Sequence, residues 1–252
     1  MAAIYSDLEG KSILVTGGAS GIGASMVRAF ARQKANVGFL DIAREPAARL
    51  VEELAANGSI VHFEPCDLTD IAALRGAINR IRDKIGPVRV LVNNAAHDER
   101  HATETVTPEY WDDRIAVNLK HQFFSAQAVL PDMKAANDGA IINLGSISWM
   151  VGQGGMAVYT AAKSAILGLT RSLARDFGPY NIRVNAVAPG WIMTERQVEK
   201  WLTPEGEAEL LKSQCLKRKL NPDDVSRVVV FLASEEAGAC TNQQYVVDGG
   251  WV

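Results

Sequence analysis

Short apolar runs alternate with longer amphipathic stretches along most of the chain. The runs predict strands, and they cover residues 12–16, 36–41, 59–65, 87–94, 139–146, 182–190 and 243–250. Between them, apolar residues recur every three or four positions, as at 22–33 and 46–57, which predicts helices. Nearly unbroken apolar strands separated by helices are typical of a parallel sheet covered on both faces. The pattern therefore predicts one doubly wound α/β domain spanning residues 1–252.

One long segment departs from this alternation. Residues 191–220, between the sixth and seventh predicted strands, are charged and helical in pattern. Insertions of this length in an α/β domain often cover a binding site. We expect this segment to form a substrate loop or lid.

Composition narrows the classes of function. The chain is 48% hydrophobic and 22% charged, with a net charge of -3 and no basic block, so neither nucleic acid nor an anionic membrane is an expected partner. Its three cysteines, Cys66, Cys215 and Cys240, are far apart and lack metal-ligand spacing. No apolar run approaches the roughly 18 residues of a membrane span, and the first residues do not resemble a signal peptide. These features predict a cytoplasmic protein that acts on small molecules.

A glycine-rich turn follows the first strand. The sequence TGGASGIG at 16–23 places Gly17, Gly21 and Gly23, with Ser20 and Ile22, where a strand turns into a helix. Such a turn brings bare backbone and a helix N-terminus to a pyrophosphate, which makes the fold Rossmann-like; a tight turn without a ligand is the alternative.

Asp41 ends the second strand, where a carboxylate can accept both ribose hydroxyls of an adenosine. A 2'-phosphate would be repelled there, so NAD is expected and NADP is disfavoured, although Arg44 is close. Asp41 could instead be a strand-end carboxylate without a ligand.

A tyrosine and a lysine, Tyr159 and Lys163, are four residues apart in AVYTAAKSA at 157–165, so they share one face of a helix. Taken alone, they could be a packed phenol and a solvated lysine. An ammonium beside a phenol lowers the pKa of the phenol by favouring phenolate, which would make Tyr159 a base.

Several motifs together carry a resemblance to a known family. The G-x-x-x-G-x-G spacing, NNA at 93–95, YTAAK at 159–163 and PG at 189–190 resemble the short-chain dehydrogenase/reductase family over nearly the whole chain. Within it, GSISW at 145–149 and KWLTPEGEA at 200–208 are similar to bacterial NAD-dependent aldose 1-dehydrogenases. Two positions depart from the family pattern, Ala96 and Gly145.

The resemblance implies roles residue by residue. The catalytic set would be Asn118, Ser146, Tyr159 and Lys163. Besides the turn, Asp41, Tyr159 and Lys163, the cofactor would be bound by Asp67, Leu68, Asn93, Ala95, Pro189, Gly190, Ile192 and Thr194. Ser146 would hold the substrate oxygen, and Asn118 would hold a water that passes the proton outward through Lys163. A homotetramer is also implied.

The expected activity is hydride transfer from C1 of a pentose or hexose aldose to NAD, giving an aldonolactone. Candidates for substrate contact are His97, Asp98, Ser146, Ser148, Gln153 and Trp191, with the indole N–H of Trp191 as a donor. No metal is expected, because His97 and His101 lie in a loop without further ligands. A polyol or sugar-acid dehydrogenase is the nearest alternative, and a non-catalytic cofactor-binding scaffold is an alternative of another class.

Overall fold

Seven parallel strands form the centre of the structure, a computed structural model that describes residues 3–252. They are β1 (Ser12–Thr16), β2 (Asn36–Asp41), β3 (Val61–Pro65), β4 (Val90–Asn93), β5 (Gly139–Leu144), β6 (Ile182–Pro189) and β7 (Gln244–Val247). Every predicted strand is confirmed, although several of them are shorter at one or both ends.

Helices connect the strands. They are α1 (Gly21–Arg32), α2 (Arg44–Ala56), α3 (Ile71–Ile85), α4 (Pro108–Ile115), α5 (His121–Ala136), α6 (Ala157–Phe177), α7 (Glu195–Lys200), α8 (Pro204–Ser213) and α9 (Pro222–Ala233). A π-helical turn, Ala116–Lys120, joins α4 to α5. The two helices predicted from periodicity are α1 and α2, with boundaries shifted by one or two residues.

Both faces of the sheet are buried, as the apolar strands require. In β1, Ile13 and Val15 pack into the cluster that contains the apolar residues of α1 and α9, whereas Leu14 packs into the cluster that contains those of α3 and α5. Because side chains alternate across a strand, consecutive apolar residues can serve two cores. The structure is therefore a single three-layer α/β domain.

The strand order positions the site. It runs β3-β2-β1-β4-β5-β6-β7, so the chain reverses direction across the sheet between β1 and β4. In open parallel sheets, ligands bind beyond the carboxyl ends of the strands at such a switch point.

Residues 191–220 contain α7 and α8, which lie between β6 and β7. An isolated bridge pairs Ile192 with Leu220, so the segment leaves and rejoins the domain at one place. No helix within residues 3–252 has both the length and the apolarity needed to cross a membrane.

Candidate active site

A cleft of about 1010 Å³ opens beyond the carboxyl ends of the strands. This volume is at the upper limit of the roughly 300–1,000 Å³ common for small-molecule sites. Most of the predicted cofactor residues line it: Gly17, Ser20, Gly21, Ile22, Gly23, Asp41, Asp67, Leu68, Ala95, Tyr159, Lys163, Pro189, Gly190, Ile192 and Thr194. All six predicted substrate contacts line it as well: His97, Asp98, Ser146, Ser148, Gln153 and Trp191. The two predicted residues outside this lining are Asn93 and Asn118.

The glycine-rich turn has no room for a side chain at Gly17 or at Gly23. A Cβ on Gly23 would lie 1.8 Å from the carbonyl oxygen of Gly17, and a Cβ on Gly17 would lie 2.7 Å from the Cα of Ala95. Gly17 also has a φ of 68°, in the left-handed region. The close approach leaves the N-terminus of α1 open to the cleft, where Ser20 is the N-cap but its hydroxyl makes no capping bond. Backbone N–H groups and a free hydroxyl at a helix N-terminus fit the pyrophosphate of a dinucleotide.

Asp41 lies at the end of β2 beside this turn. Its carboxylate accepts hydrogen bonds from the backbone N–H of Ala19 and of Ala43, both at 2.9 Å, which fixes its orientation. A carboxylate has about four lone-pair sites, so two stay available for ribose hydroxyls. Ile42, the next residue, is 73% exposed and lines the cleft, which suits contact with a flat apolar ring.

Asn93 does not line the cleft, in contrast to the other predicted residue of this motif, Ala95. Asn93 is completely buried at the end of β4, and its amide donates to Asn143 at 2.9 Å and to the Gln122 carbonyl at 3.2 Å. Side-chain alternation instead turns Asn94 to the cleft. Asn94 donates to the carbonyl oxygens of Thr16 and Gly17, at 3.0 and 2.8 Å, so it holds the glycine-rich turn.

Tyr159, Ser146 and Lys163 meet in the cleft as predicted. Tyr159 and Lys163 lie in the first two turns of α6, and Ser146 follows β5. The Ser146 hydroxyl lowers the pKa of the Tyr159 phenol and accepts a hydrogen bond from the backbone N–H of Ser148, at 3.1 Å. Lys163 is 2% exposed, and its Nζ donates to the Leu144 carbonyl at 2.8 Å.

Burial has the largest effect on the pKa values of Tyr159 and Lys163. Burial raises the pKa of Tyr159 well above its usual range, the Asp98 carboxylate raises it further, and the Ser146 hydroxyl lowers it only in part. Burial also lowers the pKa of Lys163 to about 7. Burial therefore disfavours the charged form of both groups, and a further positive charge nearby would favour the phenolate.

Asn118 lies in the π-helical turn, outside the lining of the cleft. Its amide donates to the carbonyl oxygens of His97 and Arg114, at 3.1 and 2.9 Å, and its Oδ1 accepts from the His97 N–H at 2.8 Å. Both amide donors are therefore used within the protein. The amide holds the loop after β4 against the turn, and π-helical turns are frequent at functional sites.

The loop after β4 contains two histidines, of which His97 lines the cleft and His101 does not. Arg114 donates a hydrogen bond to the imidazole of His97. Burial lowers the pKa of this imidazole most, and the positive charge of Arg114 lowers it further. His101 contacts the Tyr110 hydroxyl at 3.0 Å and the Val158 N–H at 3.4 Å, so it anchors the start of α6. Within residues 3–252, no group of three metal-ligating side chains is present.

Three residues that line the cleft were not predicted from the sequence as site residues: Ile42, Arg196 and Gln197. The last two lie on α7 and contact the loop after β4, nearly a hundred residues away in the chain. Trp191 lines the cleft, but its indole N–H donates to Gln197 Oε1 at 2.9 Å, so this donor is already used within the protein.

Comparison with known proteins agrees with this geometry. A family model described as enoyl-(acyl carrier protein) reductase matches residues 17–252. The D-xylose 1-dehydrogenase of Caulobacter vibrioides is 49% identical over 250 residues, which are 99% of this chain and 99% of that protein. The "Probable galactose dehydrogenase GalD" of Rhizobium meliloti is 49% identical over 98% of this chain and 96% of its own.

Among solved structures, a blue fluorescent protein from a metagenomic library, in complex with NADPH, superposes with a TM-score of 0.89. It is 34% identical to this chain, and the match covers 98% of this chain and 99% of that one. Fold and site thus define an oxidoreductase that binds a nicotinamide cofactor. The chain belongs to the short-chain dehydrogenase/reductase family.

Proposed function

We propose that the protein oxidises the C1 hydroxyl of a pentose or hexose aldose, with hydride transfer to NAD and an aldonolactone as product. The observation that carries this proposal is that Ser146, Tyr159 and Lys163 line one cleft together with the glycine-rich turn. The names of the two relatives at 49% identity support an aldose as substrate.

Each catalytic side chain has a defined task in this reaction. The oxidised nicotinamide, when bound beside Pro189 and Gly190, supplies the hydride acceptor and a positive charge. Ser146 holds the C1 oxygen of the substrate next to the phenol. Tyr159 takes the hydroxyl proton as C1 loses hydride, because a positive charge nearby lowers the pKa that burial has raised.

Asn118 and Lys163 act on the surroundings of the base. We assign Asn118 to positioning, because its amide bonds hold His97 and the loop that follows. Lys163, with a pKa of about 7, can release and regain a proton near neutral pH. It can therefore pass on the proton that Tyr159 accepts.

NAD is the proposed cofactor. The Asp41 carboxylate is held by two backbone donors beside the glycine-rich turn, where it would accept from ribose hydroxyls and repel a 2'-phosphate. Arg44, the nearest basic residue in the sequence, begins α2 and is exposed.

We further propose that residues 191–220 form a lid and that the enzyme is a cytoplasmic homotetramer. Arg196 and Gln197 of α7 reach across the mouth of the cleft, which supports the lid.

Trp111 and Phe123, on α4 and α5, are 44% and 41% exposed, which supports a subunit contact there. Cys66, Cys215 and Cys240 are free thiols, which suits a reducing compartment.

An assay of cofactor reduction tests the proposal. The purified protein is incubated with NAD or NADP and with aldoses, polyols or sugar acids, and the reduced cofactor is followed by absorbance. We expect an aldose with NAD to give the highest kcat/KM. Reduction with a polyol but with no aldose would refute the sugar 1-dehydrogenase assignment, and no reduction with any alcohol would favour a non-catalytic scaffold.

A further inference from the structure

A chain of hydrogen bonds crosses the mouth of the cleft and has Asp98 at its centre. Asp98 Oδ1 accepts from Arg196 Nε at 3.1 Å, and Oδ2 accepts from Gln197 Nε2 at 2.5 Å. Gln197 is held in turn by the indole N–H of Trp191, at 2.9 Å. Arg196 also donates to Glu99, at 3.3 Å. The Asp98 carboxylate is thereby fixed from the side of α7.

Asp98 faces the catalytic residues as well as α7. Its side chain is 21% exposed and lines the cleft, and its negative charge raises the pKa of both Tyr159 and Lys163. Each carboxylate oxygen accepts one hydrogen bond from the protein, so each keeps a lone pair for another donor. A substrate bound in the cleft next to Tyr159 could donate hydrogen bonds to these Asp98 oxygens.

The position of the Asp98 charge favours a role in binding substrate and disfavours a role in proton abstraction. A negative charge near Tyr159 disfavours the phenolate, so it opposes the step in which Tyr159 takes a proton. A carboxylate in such a place needs a compensating advantage. Hydroxyl groups that donate to an ionised acceptor form stronger hydrogen bonds than those that donate to a neutral one, which gives Asp98 that advantage for a polyhydroxylated substrate.

Glu99 provides an internal comparison. It binds the same arginine as Asp98, but its side chain is 40% exposed and it is absent from the lining of the cleft. Loss of the Glu99 charge weakens the contact with α7 without removing a group from the cleft. Substitutions of Asp98 and of Glu99 therefore distinguish a role in holding α7 from a role in contacting substrate.

We propose that Asp98 determines specificity for sugars: its carboxylate accepts hydrogen bonds from hydroxyls of the aldose other than the reacting one. Arg196 and Gln197 hold the carboxylate in place before substrate arrives, which reduces the entropy lost on binding. This inference rests on the proposed aldose activity and adds the residue that recognises the sugar. The variant Asp98→Asn tests it, with Glu99→Gln as the matched control.

The experiment measures kcat/KM for wild type and both variants with three kinds of substrate: an aldose, its singly deoxygenated analogues at positions other than C1, and a cyclic secondary alcohol with no other hydroxyl. A hydrogen bond to a charged group contributes about 1.5–3 kcal/mol, so Asp98→Asn should lower kcat/KM for the aldose by about 10- to 150-fold, mainly by raising KM. At a pH above the rise of kcat/KM, where a shift of that rise has no effect, the same substitution should change kcat/KM for one deoxy analogue and for the simple alcohol by less than about threefold. Glu99→Gln should stay within about threefold throughout.

Two results would overturn the assignment. If Asp98→Asn lowered kcat/KM equally for the aldose, every deoxy analogue and the simple alcohol, Asp98 would have only a structural or electrostatic role. If Glu99→Gln reproduced the selective loss, the contact with α7 would be responsible. Unchanged NAD affinity in a direct binding measurement excludes misfolding of Asp98→Asn. A wild-type protein that oxidises no aldose would refute the proposed function and this inference together, whereas the first two results leave the proposed function intact.

Discussion

The Nζ of Lys163 lies 5.6 Å from the centroid of the Tyr159 ring, and it donates to the Leu144 carbonyl at 2.8 Å. The lysine is therefore fixed beside the phenol by the end of β5. Burial raises the pKa of Tyr159 and lowers that of Lys163, so it disfavours the charged form of both groups.

Removal of the phenol hydroxyl should abolish most turnover. In Tyr159→Phe, the group that takes the substrate proton is absent, so we expect kcat to fall by about 10²- to 10⁴-fold. The ring remains, so the circular dichroism spectrum and the midpoint of thermal unfolding should stay near wild type. Near-normal kcat in a folded variant would show that Tyr159 is not the base.

The pH dependence of turnover should report the charge of Asp98. That carboxylate raises the pKa of both Tyr159 and Lys163, so its neutralisation in Asp98→Asn should lower both values. We expect the rise of kcat/KM with pH, measured on the simple alcohol, to move to lower pH in this variant and to stay in place in Glu99→Gln. A profile that moves to higher pH in Asp98→Asn would show that the Asp98 charge does not oppose ionisation of Tyr159.

Asp41 should set the cofactor preference. Asp41→Asn loses the negative charge that disfavours a 2'-phosphate, so the ratio of kcat/KM for NADP to that for NAD should rise about tenfold or more. Asp67→Asn is the matched control, because Asp67 lines the same cleft and its carboxylate is bonded to Thr69. An unchanged ratio in Asp41→Asn, or an equal rise in both variants, would remove Asp41 from this role.

His121 should make the fold sensitive to acid. It is completely buried at the start of α5, where burial, and then the charge of Lys163, lowers the pKa of its imidazole from 6.5 to about 3. As the pH falls below 6.5, the unfolded chain binds a proton that the folded chain does not bind, so the free energy of unfolding decreases. One such group contributes at most about 1.4 kcal/mol per pH unit.

Urea unfolding at about pH 7 and about pH 5 measures this effect. His121→Gln should lose less stability between the two conditions than wild type does. His62, which is only partly buried, provides the control, and His62→Gln should retain most of the wild-type dependence. An identical loss in wild type and His121→Gln would show that other groups cause the acid sensitivity.

The strands and the glycine-rich turn could be predicted from the sequence, because each depends mainly on residues that are close together in the chain. The seven strands follow from the apolar runs that alternate with amphipathic stretches. The glycine-rich turn follows from the lack of space for a Cβ at Gly17 and Gly23. Asn93 was expected in the cofactor channel, but it is buried and its side chain bonds Asn143, the residue paired with it on β5. Sequence alone does not give that register.

Contacts between distant segments could not be predicted in this way. Asn118 binds backbone twenty-one residues away, and Arg196 binds Asp98 across ninety-eight positions. The direction of the pKa shift at Tyr159 also depends on burial and on Asp98, which no spacing within α6 indicates.

Hydride loss from C1 of an aldose is the step on which the proposed roles of Ser146, Tyr159 and Asp98 all depend, and an isotope label follows it directly. The enzyme is given NAD and an aldose that carries deuterium at C1, and the cofactor is analysed by mass spectrometry. We expect one deuterium in each reduced cofactor and one aldonolactone formed with it. Deuterium that stays in the sugar product, with reduced cofactor formed, would place the oxidation at another carbon and contradict the proposed reaction.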